Sequence, residues 1–140
     1  VLFSSLPEHS SLLDKRVLIF DTMGLLSSLY AYGTLAFVGG GFKRRGLHNI
    51  LEPAAYGNLV LFGPEYTNFM EAISLVEQQL AFPVNDEKEA AAVIQYWIQN
   101  PTLRKQKAAA LQAFMREKTG ATDRIIEALI RSQYLPSKVL

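Results

Sequence analysis

The amino-acid sequence predicts an α/β fold: a Rossmann-like three-layer α/β/α domain with additional helices at its C-terminal end. Three observations lead there. Short continuous apolar runs at Val17–Phe20, Leu35–Val38 and Leu59–Phe62 have the length of parallel strands buried on both faces. Each run ends in turn residues, Asp21-Thr22-Met23-Gly24, Gly39-Gly40-Gly41 and Gly63-Pro64, and each is followed by a stretch with helical spacing. Strands alternating with helices through right-handed crossovers form a parallel sheet covered on both faces. From Asp86 onward only helical patterns remain.

Each element has its own signal. Val1–Ser4 reads as a short strand, and a polar loop leads through Ser10 to Lys15. Val17–Phe20 is a buried parallel strand, and a short helix covers Leu25–Tyr32, ended by Gly33. Leu35–Val38 is the next buried strand. After the glycine turn, Asn49 opens a helix, with Glu52 three residues on at capping-box spacing and Pro53 tolerated in the first turn. Leu59–Phe62 is another strand. Asn68 and Glu71 repeat the capping-box spacing at the head of a helix whose Phe69, Ala72, Ile73 and Val76 share a face. Ala81–Val84 is a strand placed near the sheet edge, because Pro83 has no N–H for a ladder.

The helical end follows the same logic. Asp86 and Glu89 form a third capping box, ahead of Ala90, Val93, Ile94 and Trp97 at helical spacing. Asn100 and Pro101 read as a cap and a first-turn proline for a helix carrying Leu103, Lys107, Leu111 and Phe114. Gly120 stops it. Ile125, Ile126, Leu129 and Ile130 make an apolar stripe on a last helix, before Pro136 and a loose tail.

Composition sets the function classes that fit. The chain has 140 residues, 49% hydrophobic and 19% charged, which suits one globular domain with a real core. A net charge of +1 is too small for broad electrostatic binding of nucleic acid. With no cysteine there is no disulfide and no thiolate metal site, and no apolar run approaches the roughly 20 residues that span a bilayer. The first residue is Val1, not an initiator methionine, so a longer parent protein is expected.

The candidate site lies where strand ends deliver loops to one edge, in the crevice outside the carboxyl ends of an open α/β sheet. Leu35–Pro53 carries its main features: an apolar run, three glycines, the basic loop Lys43-Arg44-Arg45, and the helix start at Asn49. Glycines let a ligand approach the backbone, and the first amides of the next helix offer unpaired N–H groups to an anion. A sugar nucleotide suits both. Glu52 either closes a capping box on Asn49 or presents a carboxylate to the crevice. Asp21 either caps the next helix or meets the ligand, and the basic loop is either solvated or a partner for phosphate or carboxylate. His48 and His9 form no evident triad or metal pair, and no chemical role is assigned to His48.

Five ordered blocks carry a family resemblance. DTMG at Asp21–Gly24, SSLYAYGTLAFVGGG at Ser27–Gly41, GLHNILEPAAYG at Gly46–Gly57, FGPEYTNFMEA at Phe62–Ala72 and GATDRI at Gly120–Ile125 resemble the C-terminal half of the 3-deoxy-D-manno-octulosonic acid (Kdo) transferases. The resemblance covers nearly the whole chain. It implies a GT-B glycosyltransferase of two facing Rossmann-like domains. Residues 1–140 would be a single, partial C-terminal domain that holds the donor CMP-Kdo. The absent N-terminal domain would supply the acceptor surface for lipid A precursor and the family's catalytic glutamate. By the family's pattern Asp21, Met23 and Gly24, the turn Gly39, Gly40 and Gly41, and Asn49 with Glu52 surround CMP.

The resemblance also implies no catalytic residue on this chain, no cofactor and no protein-bound metal. It places the full-length protein peripherally on the cytoplasmic face of the bacterial inner membrane, in lipopolysaccharide biosynthesis, with this part soluble and inactive alone. Leu25 stands where the family commonly has glutamate, Gly41 where it often has serine, and Leu47 where it has a second glycine. The competing class is a non-catalytic nucleotide-binding module of flavodoxin-like form. No dinucleotide GxGxxG fingerprint is present to favour it, and binding of CMP over flavin and nicotinamide nucleotides would separate the two.

Overall fold

A computed structural model describes residues 1–7, 12, 14–42 and 46–134. The expectations for His9, for the basic loop Lys43-Arg44-Arg45, and for Leu135 onward lie outside these residues. The element order is α1 (Leu26–Leu29), β1 (Leu35–Phe37), α2 (Leu51–Ala55), β2 (Leu59–Phe62), α3 (Met70–Glu77), β3 (Ala81–Pro83), α4 (Glu87–Gln99), α5 (Pro101–Glu117) and α6 (Ala121–Arg131). Turns of 3-10 helix cover Phe3–Ser5 and Tyr30–Tyr32.

The three strands form one parallel sheet in the order β1-β2-β3. Leu35 pairs with Leu59 and Phe37 with Leu61 on one side, and Val60 pairs with Ala81 and Phe62 with Pro83 on the other. β2 is the buried centre. All four of its side chains are fully buried although they alternate across the sheet, so both faces are covered by helices. α2 and α5 pack against β2, α3 against β3, and α4 against α5. Around β2 the core gathers Ile50, Ala54, Ala72, Leu75, Leu80, Trp97 and Leu111. Gln112 Nε2 donates to Tyr56 O at 2.9 Å, which fastens α5 to the end of α2. β3 lies at the edge, where Pro83 does not need an outer partner.

The N-terminal part differs from the sequence reading. Val1–Ser4 is not a strand: Leu2 makes a single parallel bridge to Ile19, and the chain then curls into the Phe3–Ser5 turn. Val17–Phe20 is not a buried strand either, since Val17 is 63% and Ile19 51% exposed. An apolar run is buried only where elements cover both of its faces. This run is joined by main-chain hydrogen bonds to Val1 and Phe3, which flank the Leu2 bridge. Leu35–Phe37 is a strand with one open edge, and Phe37 is half exposed.

Helix starts differ in detail. The Leu25–Tyr32 helix is one α-helical turn followed by a 3-10 turn. α2 begins at Leu51, two residues after Asn49, and α3 begins at Met70 with Phe69 as an uncapped start in place of Asn68. Asp86 does cap α4, accepting from Lys88 N and Glu89 N. Its supposed partner Glu89 turns instead to Asn85, accepting from that residue's main-chain and side-chain N–H groups at 2.8 Å each. Asn100 gives α5 no side-chain cap and donates back to Tyr96 O, while Pro101 occupies the first turn as expected. α5 ends at Glu117 with Lys118 as its C-cap, before Gly120, which at φ 83° stands at the start of α6. On α6 the stripe is largely uncovered, with Ile125 59% exposed.

Candidate functional site

At the carboxyl end of β1 the chain makes three successive glycines, and the structure shows why. Gly40 (φ 95°) bridges to Leu47, and Gly41 (φ 74°) turns the backbone so that its N–H donates to Gly46 O at 2.9 Å. Gly63, at the end of β2, packs backbone to backbone on this turn: its N–H donates to Gly40 O at 3.3 Å, and Glu65 N donates to Gly41 O at 2.8 Å. A β-carbon on Gly41 would stand 2.9 Å from Gly63 O, inside van der Waals contact. The loops after two neighbouring strands are thus locked together.

Beside this turn lies a cavity of about 380 Å³, lined by Leu26, Tyr30, Phe37, Val38, Gly39, His48, Asn49 and Glu52. One wall comes from α1 and the 3-10 turn, the other from the start of α2, and the floor from the end of β1. Asn49 Oδ1 accepts from Leu51 N at 3.0 Å, while its Nδ2 donates to Glu52 Oε1 at 2.9 Å. The asparagine therefore holds the first main-chain N–H of α2 with one atom and the Glu52 carboxylate with the other. This is not a reciprocal capping box, in which Glu52 would reach the main-chain N–H of Asn49. Glu52 acts on Tyr30 as well. Burial pushes the Tyr30 hydroxyl's pKa up, and the negative charge of Glu52 pushes it further.

α2 is only five residues long, Leu51 N is taken by Asn49, and Pro53 has no N–H. The expected cradle of free helix amides is therefore small. Instead, one carboxylate and one carboxamide stand among aromatic and aliphatic side chains, a set matched to hydroxyl and ring groups of a ligand.

Of the sequence-derived candidates, the cavity brings together Gly39, Asn49 and Glu52. Gly40 and Gly41 shape the turn behind it and do not line it. Asp21, Met23 and Gly24 do not line it either. Asp21 accepts from Ser4 N at 3.0 Å and makes a short hydrogen bond with Ser4 Oγ, contacts that hold its carboxyl below the usual carboxylate range. Met23 is 99% exposed, and Gly24, at φ 87°, faces open space. Leu26, Tyr30 and Phe37 escaped the sequence reading, although all three fall inside the block Ser27–Gly41 or directly before it. Among the described residues no cluster of three His, Cys, Asp or Glu could hold a metal ion, and no helix is long and apolar enough to cross a membrane.

A parallel sheet with helices on both faces, a glycine turn at a strand's carboxyl end, and a pocket beside it define a Rossmann-like domain. Comparison with known proteins agrees. No family model matches the chain. A Kdo transferase from Bordetella pertussis is 32% identical over 114 residues, covering 81% of this chain and 27% of that protein. A bifunctional glycosyltransferase/methyltransferase from Fusobacterium nucleatum is 32% identical over 96 residues, covering 68% of this chain and 15% of that protein. Among solved structures, the C-terminal CMP-Kdo binding domain of WaaA from Acinetobacter baumannii matches with a TM-score of 0.64 and 26% identity, over 73% of this chain and 53% of that one. The chain is a homologue of the Kdo transferases, similar to part of their C-terminal domain. It spans less than a third of the length of these two relatives.

Proposed function

We propose that this chain is the donor-binding part of a Kdo transferase, holding the CMP moiety of CMP-Kdo in the cavity beside the glycine turn. The observation that carries this reading is the Asn49–Glu52 pair, a hydrogen-bonded carboxylate lining a pocket in a domain similar to a solved CMP-Kdo binding domain. Glu52 Oε1 is held by Asn49, which would leave its second oxygen to accept from ribose hydroxyls. Tyr30 and Phe37 supply flat faces for the base. In the full-length protein, catalysis would come from positioning and from stabilising charge on the departing CMP. The acceptor would be lipid A precursor, met by an N-terminal domain, with peripheral attachment to the cytoplasmic face of the inner membrane in lipopolysaccharide biosynthesis.

Titration of CMP into isotope-labelled protein tests this directly. Amide shifts are expected at Gly39, Asn49 and Glu52, and neither flavin nor nicotinamide nucleotides should reproduce them. Shifts confined to residues outside the cavity would overturn the assignment. These 140 residues alone should not transfer Kdo, because they correspond to only 27% of the length of a Kdo transferase and catalysis needs the whole cleft.

A further inference from the structure

Asn58 stands at the junction of α2 and β2 and is 1% exposed. Its Nδ2 donates to Tyr30 O at 2.7 Å and to Pro53 O at 3.2 Å. Both acceptors are carbonyls, so the amide can face only this way: flipped, its oxygen would oppose two oxygens. Those carbonyls belong to the two walls of the cavity, Tyr30 to the 3-10 turn and Pro53 to α2. Neither carbonyl depends on Asn58's side chain, because Gly33 N donates to Tyr30 O and the main-chain N–H groups of Tyr56 and Asn58 donate to Pro53 O.

The other end of the amide is unusual. Asn58 Oδ1 is buried without a hydrogen-bond partner, which carries a desolvation penalty that an apolar residue of similar size would avoid. That oxygen faces Gly33, where a built β-carbon would overlap it. The φ of Gly33 is −81°, open to any residue. Glycine is therefore required here by Asn58 and not by the backbone.

Resting on the CMP reading above, we infer that Asn58 is a positioning residue: with Gly33 it forms a joint that sets the spacing of the Tyr30 and Glu52 walls and so the fit of the nucleotide. A residue that only stabilised the fold would have no need to bridge these two segments at the expense of an orphaned oxygen.

The test uses Asn58→Leu, Asn58→Ala, Gly33→Ala and the Asn58→Ala/Gly33→Ala pair, each measured for CMP affinity well below its melting temperature and for amide hydrogen exchange of Leu26–Gly33 without ligand. Asn58→Leu should weaken CMP about tenfold and speed exchange across Leu26–Gly33. Gly33→Ala alone should do the same, because its methyl group displaces the amide. The paired variant should bind CMP no worse than Gly33→Ala, since both changes act on one joint. A lowered melting temperature with CMP affinity within twofold of the parent would make Asn58 purely structural and overturn the inference. Losses that multiply in the pair would also overturn it. If the parent chain does not bind CMP, the proposed function fails, and unchanged exchange in Asn58→Leu would then sink the joint independently.

Discussion

Asn49 donates its side-chain amide to Glu52 Oε1 at 2.9 Å, so the first turn of α2 carries a carboxylate already held before any ligand arrives. Glu52→Gln preserves size and the contact with Asn49 and removes only the charge. CMP binding should weaken by about 1–3 kcal/mol, as expected when a charged acceptor becomes neutral. The melting temperature should barely move. Calorimetry with CMP, set beside a melting curve, reads both, and unchanged affinity would return Glu52 to a purely structural role.

The same substitution should be felt at Tyr30. Its hydroxyl pKa is raised first by burial and second by Glu52, so Glu52→Gln should lower it while leaving it above the ordinary tyrosine value. A group whose pKa is raised on folding favours the folded state below its unfolded pKa, and that contribution disappears as pH climbs through the folded value. Carbon-13 shifts of the Tyr30 ring against pH would show the change. No movement between parent and variant would mean that Glu52 does not reach Tyr30.

Outside the cavity, Ser4 depresses the pKa of Asp21 through two hydrogen bonds. The contact is complete above the ordinary carboxylate range and is lost as pH falls through the lowered pKa of Asp21. Ser4→Ala should move that titration upward toward the ordinary value. Carboxyl carbon shifts of Asp21 in the two proteins would test it, and identical titrations would refute the coupling.

Gly63 meets Gly41 with no room between them. Gly63→Ala forces a methyl group into the backbone of the glycine turn and should destabilise the chain by at least about 2 kcal/mol. Gly41→Ala adds the strain of a positive φ, about 1–3 kcal/mol before any overlap. Denaturant melts give the comparison. A wild-type midpoint for Gly63→Ala would mean that the two turns separate freely.

Asp86 caps α4 through two main-chain N–H groups, Lys88 N at 2.9 Å and Glu89 N at 2.8 Å. Asp86→Ala should cost about 1 kcal/mol and lower the melting temperature by about 3–5 °C, while CMP affinity stays unchanged. An unaltered melting temperature would contradict the cap.

Local chemistry was readable from the residues wherever it decided the outcome. The run Leu59–Phe62 is the buried central strand, Pro83 sits on an edge strand, Asp86 caps α4 and Pro101 opens α5. Val17–Phe20 has an equally apolar sequence and leaves Val17 and Ile19 exposed, because a run of this kind carries no record of what covers it. The candidate site divides in the same way. Gly39, Asn49 and Glu52 follow one another along the chain and were visible as a motif, whereas Tyr30 and Phe37 enter the cavity through packing between segments. Asp21 and Met23 fit the family's pattern but do not line this cavity, since Asp21 is drawn to Ser4.

Among the described residues no side chain before β1 is fully buried, so the wall carrying Leu26 and Tyr30 belongs to a segment only loosely tied to the packed centre. Melting of this molecule should accordingly not be a single all-or-none event. A calorimetric trace should contain a broad, low-temperature shoulder from the first wall ahead of the main peak from β2, α4 and α5. A nucleotide that spans the cavity would merge the shoulder into the peak, so cooperativity itself becomes the signature of occupancy.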